Sequence, residues 1–96
     1  MKIFISQKMG NLTLEEILKR RSEITEFLET QFKDFEIINS IIEPSEEHNS
    51  LWYLGKSIEL LSEADLAVFD TGWYNSRGCL IEFKCCNLYG IKMLFI

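Results

Sequence analysis

Several features are scarce in this chain. No apolar stretch reaches the length of a membrane span, and the N-terminus opens on a strand-like run rather than a secretory leader. Basic residues are the minority: 10 Lys and Arg stand against 15 Asp and Glu, a formal net charge of -5. That balance excludes a large electrostatic grip on DNA or RNA, where basic patches dominate affinity. It leaves room for a small phosphorylated ligand, which needs only a local cation or a helix N-terminus. Histidine occurs once, as His48, and cysteine three times, as Cys79, Cys85 and Cys86. Two adjacent cysteines and a lone histidine lack zinc-ligand spacing. The three cysteines read instead as reduced thiols buried on a helix. No metal or redox cofactor is expected, and neither repeats nor low-complexity tracts are present. The expectation is a cytoplasmic protein with no membrane or nucleic-acid partner.

What is present is apolar bulk. Hydrophobic residues make up 47% of the 96 positions, with seven Phe, two Trp and three Tyr. The length gives one domain over residues 1–96. A domain this small buries a limited share of its surface. The surplus of apolar residues therefore predicts self-association into a dimer or higher homo-oligomer.

Read along the chain, Lys2-Ile3-Phe4-Ile5-Ser6 is a short apolar run ending at polar Ser6-Gln7, the pattern of a buried parallel strand. Met9-Gly10-Asn11 is a loop. Thr13-Leu14-Glu15-Glu16 fits a capping box, and Leu14, Ile17, Leu18, Ile24 and Leu28 carry a helix to about Gln31. A second strand is expected over Phe35–Asn39. The polar stretch from Ser40 to Ser50, with Pro44, Glu46, Glu47 and His48, is long for a connection in a small domain, and long loops are more often functional or mobile. A second helix follows over Leu51–Glu63, a third strand over Asp65–Phe69 and a loop over Asp70–Ser76. A third helix is expected over Arg77–Tyr89, with Gly78 weakening its first turn and Gly90 closing it. The run Ile91–Ile96 is a fourth strand.

Strict β/α alternation predicts an α/β fold with a parallel sheet and helices on both faces. The expected architecture is a small flavodoxin-like (Rossmann-like) four-stranded parallel sheet of order 2-1-3-4, flanked by three helices. Ligands of such sheets sit beyond the carboxyl ends of the strands, where the strand order reverses. That point lies between strands one and three, so Ser6, Gln7 and Met9 from the first loop and Asp70 to Arg77 from the third are delivered there.

Glu82 stands on the N-terminal turns of the third helix, where a carboxylate is favoured in its ionised form. An ionised Glu at a cleft can attack an anomeric carbon and hold a covalent glycosyl intermediate. Complementing the helix dipole is the plainer role, and on spacing alone the favoured one. Trp73 follows Gly72, which permits a sharp turn; its ring suits stacking on a base or folding onto the sheet edge. Trp52 and Tyr53 could form an opposite wall or simply pack. Arg77, with the Ser76 hydroxyl and nearby backbone N–H groups, could clamp a phosphate or stay solvated. Ser6 and Gln7 could bind a sugar or base, or merely end their strand. His48 receives no role.

The segments Met1-Lys2-Ile3-Phe4-Ile5-Ser6-Gln7, Met9, Trp52-Tyr53-Leu54-Gly55-Lys56-Ser57, Ala64-Asp65-Leu66, Gly72-Trp73, Arg77-Gly78-Cys79 and Ile81-Glu82 resemble the nucleoside 2-deoxyribosyltransferase-like family of small phage and prophage proteins. The resemblance covers essentially the whole chain. It implies cleavage or transfer at an N-glycosidic bond of a nucleoside or its monophosphate, in the host cytoplasm if the protein is phage-encoded. Glu82 would be the nucleophile, eight residues before Gly90 as in that family, and Ser76 would contact phosphate. Trp73 would stack on the base. Ser6, Gln7 and Asp70 would orient sugar and base, with Met9, Gly72, Arg77 and Gly78 around them. There are departures. Ser57 stands where the transferases carry an acid that protonates the leaving base, Lys8 stands where close relatives have Pro, and Leu80 and Phe83 replace polar residues. A non-catalytic nucleotide-binding protein that sequesters a host-defence signal is the alternative.

Overall fold

The computed structural model describes residues 1–42 and 47–96. In chain order the elements are β1 (Lys2–Ser6), α1 (Leu14–Gln31), β2 (Glu36–Ile37), α2 (Ser50–Leu61), β3 (Leu66–Phe69), α3 (Arg77–Tyr89) and β4 (Lys92–Phe95), with one 3-10 turn over Trp73–Asn75. The four strands form a single parallel sheet in the order β2-β1-β3-β4. The fold is therefore the α/β, Rossmann-like arrangement that the alternation predicts. Of the long loop after Ser40, Pro44 and Glu46 lie outside the described residues. No described helix is long and apolar enough to cross a membrane.

The two central strands are covered on both faces, which is why they read as unbroken apolar runs. Ile3, Ile5, Leu66 and Val68 pack with Ile24 and Leu28 of α1 on one side. Phe4, Ala67 and Phe69 pack with Leu61 of α2 and Cys86 of α3 on the other. Alternation along β1 therefore decides which helix layer each side chain meets.

Local chemistry sets the element boundaries. Thr13 Oγ1 accepts from the Glu16 N–H and the Thr13 N–H donates to Glu16 Oε1, both at 3.1 Å, completing the capping box. Asn49 caps α2 through the Trp52 N–H at 3.0 Å. Gly90 ends α3 at φ 73°, a left-handed conformation that favours glycine, with its N–H returned to the Cys86 carbonyl.

Three strands are shorter than expected, β4 by one residue at each end. β2 is an edge strand paired only to β1, and Phe35 leaves the ladder to pack edge-on against Phe32 at 6.4 Å. Asp65 precedes β3 instead of joining it: its carboxylate accepts from the Lys2 N–H at 2.7 Å while its own N–H donates to the Lys2 carbonyl. α2 starts one residue early and stops at Leu61, where the Ser62 and Glu63 N–H groups turn back to Ile58 and Leu60.

Candidate functional site

An open cavity of about 650 Å³ lies over the carboxyl end of β1, between the N-terminal halves of α2 and α3. Small-molecule sites commonly span about 300–1,000 Å³. Its floor comes from Phe4, Ile5 and Gln7, with Met9 and Gly10 of the following loop and Ser40 after β2. Asn49, Ser50, Leu51, Tyr53, Leu54 and Ser57 form the α2 wall. Ser76, Arg77, Gly78, Cys79, Ile81 and Glu82 form the α3 wall.

Among the described residues of this lining, Glu82 is the one carboxylate. It is only 7% exposed, and Ser6 at the end of β1 donates its hydroxyl to Glu82 Oε1 at 2.7 Å. Ser6 points to α3 because it shares the β1 face of Phe4. Proximity to a helix N-terminus alone predicts an ionised carboxylate, but burial outweighs it here. Burial pushes the Glu82 carboxyl up to about 7, against the opposing pull of the Ser6 hydrogen bond and the Arg21 charge. Near neutrality both forms are thus populated, so the group can act as a nucleophile or base when ionised and as an acid when protonated.

Arg21 lies beneath this floor on the core-facing stripe of α1 and is 8% exposed. Its Nε donates to Gln7 Oε1 at 2.8 Å, Nη1 to Ser40 Oγ at 3.0 Å and Nη2 to the Ile5 carbonyl at 3.2 Å. Gln7 in turn donates from Nε2 to the Ile17 carbonyl at 3.2 Å. Burial draws the Arg21 guanidinium down to about 10, with the Glu82 charge pulling the other way.

Of the other expected residues, Ser76 caps α3, its Oγ accepting from the Cys79 N–H at 3.4 Å. The Arg77 and Gly78 N–H groups, in the first turn, have no intrahelical acceptor. Cys79 and Cys86 are buried and all three thiols are free. Burial pushes the Cys86 thiol up to about 11 and the Cys79 thiol up as well. Among the described residues no group of three or more His, Cys, Asp or Glu gathers to hold a metal.

The structure does not bring Ser6, Asp70, Gly72 or Trp73 to the cavity lining, and Ser6 reaches the site only through its bond to Glu82. Asp70 is held by Arg20, whose Nε lies 3.1 and 3.0 Å from its two oxygens and whose Nη2 lies 2.6 Å from Oδ1, and it also accepts from the Thr71 N–H. Gly72 takes φ 86° to open the 3-10 turn. Trp73 folds onto the sheet edge, stacked on Phe83 at 4.8 Å and close to Phe69 and Phe95. It is a core closure, not an exposed stacking platform. Trp73→Ala is expected to lower stability by about 2 kcal/mol, below the about 3–5 kcal/mol of a fully buried large aromatic because the ring is only half-buried. Urea melts beside ligand calorimetry check this. Loss of binding from a variant that is still folded would return Trp73 to the site.

Sequence reasoning missed Ser40 and Arg21. Arg21 carried a readable signal, since it falls in the stripe Ile17, Arg21, Ile24, Leu28, where a charged residue must find buried partners. Of the possible aromatic wall, Tyr53 lines the cavity and Trp52 does not; Trp52 stacks on His48 at 3.6 Å. No protein-family model matches the chain, and no curated protein matches it either.

Proposed function

We propose that the chain binds a nucleoside or nucleoside monophosphate and acts at its N-glycosidic bond, with Glu82 as nucleophile. The observation that carries this reading is the buried Glu82 carboxyl, held by Ser6, in an open cavity at the switch point of a parallel sheet. In the reaction a Glu82 oxygen attacks C1′ and forms an ester. The C1′–N bond breaks, its electron pair leaves with the base, and the base takes a proton from water. The hydroxide left by that transfer, or a second base that gives its N–H proton to it, then attacks C1′ and frees the carboxylate. Ser76, Arg77 and the first N–H groups of α3 would receive a phosphate if the ligand has one. No metal or redox chemistry enters these steps. The resemblance to the nucleoside 2-deoxyribosyltransferase-like family agrees with this assignment.

The test is to incubate the protein with the deoxynucleosides and their monophosphates and measure free base across pH. Activity is expected to rise with pH, with a midpoint near 7, because attack needs the ionised form of Glu82. Absence of any base at any pH defeats the catalytic reading.

Ser57 favours a second reading. It lines the cavity at the position that the resemblance assigns to a leaving-group acid, and a hydroxyl is a poor acid. A protein that only holds a nucleotide would show thermal stabilisation by ligand with no product. Self-association belongs to the proposal too: Leu51, Leu88 and Tyr89 are 72%, 66% and 82% exposed. A clean monomer in light scattering removes that part.

A further inference from the structure

We propose that Arg21 is the positioning residue of this site: one buried guanidinium fixes the Gln7 carboxamide, fixes the Ser40 hydroxyl, and balances the Glu82 charge without touching it. The assignment goes beyond the glycosidic reading and does not depend on it.

The geometry is specific. Arg21 spends three donors on three different segments, namely the loop after β1, the chain after β2 and the Ile5 carbonyl within β1. All three partner residues, Ile5, Gln7 and Ser40, line the cavity. The Gln7 carboxamide is held at both ends, its oxygen by Arg21 and its nitrogen by the Ile17 carbonyl. It cannot flip without breaking both bonds. Ser40 Oγ accepts from Arg21, so its own proton is left to donate. Ser40 is 4% exposed and faces the cavity, so the ligand group that meets it is a hydrogen-bond acceptor.

Charge is the second strand of the argument. Glu82 is bonded by Ser6 from β1 and shares its helix with Cys79 and Cys86, and the charge of Arg21 on α1 reaches it from the other side of β1. Both thiols are held in their neutral form by burial, so Arg21 is the cation that acts on Glu82. The two residues form no direct ion pair. Their coupling crosses the β1 layer, where the low polarity of the interior screens it weakly. Arg21 thus links the shape of the floor to the charge of the wall.

The experiment is a pH titration of the whole protein by NMR, following the Glu82 carboxyl carbon, the Gln7 side-chain amide and the Arg21 Nε–H. It needs no ligand, so it can fail while the glycosidic reading stands, and the reverse. In the unmodified protein the Arg21 Nε–H is expected to shift with the midpoint of Glu82, and that step should vanish in Glu82→Gln. In Arg21→Met the Glu82 midpoint should rise by about one pH unit, and the Gln7 amide should lose its protection from exchange. In Arg21→Lys the Glu82 midpoint should return toward its original value while the Gln7 amide stays unprotected, because lysine restores charge without the planar fork. A folded Arg21→Met with an unmoved Glu82 midpoint overturns the proposal. If that variant does not fold, the unmodified protein decides: an Arg21 Nε–H that ignores the Glu82 titration overturns it equally.

Discussion

Glu82→Gln is expected to reduce release of free base by at least about a thousandfold while leaving the cavity intact. On the proposed mechanism the nucleophile has no substitute among the described cavity residues, where Glu82 is the one carboxylate, and removal of a group on which every step depends costs orders of magnitude. Glutamine is nearly isosteric, and its oxygen still accepts from Ser6, which now reaches Glu82 at 2.7 Å. Binding should therefore survive. The check is single-turnover base release beside calorimetry with the unreacted ligand. Retained turnover would remove Glu82 from the mechanism, whereas lost binding would show that the carboxylate serves recognition.

The same substitution should make the protein more stable, and the gain should depend on pH. The folded carboxyl is pushed up to about 7 from an ordinary 4.5 because burial penalises its charged form. The folded state then holds this proton more tightly than the unfolded chain does. The stability that comes from the protonated group is fully present below about pH 4.5 and is lost as pH rises through about 7. Glutamine cannot ionise and keeps that contribution. At pH 8 the variant should exceed the parent by up to about 3 kcal/mol, at 1.36 kcal/mol per pH unit. At pH 4.5 the two should be nearly equal. For a domain of this size each kcal/mol moves Tm by about 4–8 °C. Denaturant melts at the two pH values decide it, and a gain of equal size at both would mean that packing, not ionisation, is responsible. A residue whose removal abolishes chemistry and raises stability is one that the fold carries for function.

The fold was largely legible because its signals are local. Thr13 and Glu16 announce α1, Gly90 announces the end of α3, and the runs Ile3–Ile5 and Leu66–Phe69 announce central strands. The strand order followed from the alternation. Half of the site was legible on the same grounds: Gln7, Met9, Ser76, Arg77, Gly78 and Glu82 line the cavity because strand ends and helix starts converge at a switch point. The other half depends on side-chain direction, which spacing does not give. Asp70 and Trp73 lie in the expected loop, but Arg20 claims the first and Phe69, Phe83 and Phe95 claim the second. The pull of burial on Glu82 was also hidden, because it depends on what α1 and β1 place around the carboxyl. The helix-terminus argument had pointed the other way.

The α2 wall is tied down unevenly. Leu61, its last residue, is the one buried side chain of the helix, while Leu51 and Trp52 near its start are exposed. Segments with few buried apolar contacts open at low free energy, well below that of the whole fold. α2 is thus anchored at its C-terminal end, where Leu61 joins the core, and its first turns, which bring Tyr53 and Leu54 to the cavity, are expected to open first. A ligand that packs against those two side chains would then be expected to hold the start of the helix in place as it binds. The affinity of the site is then expected to depend partly on the entropy of its wall, and substitutions at Trp52, which stands on the same turn but outside the lining, should tune it.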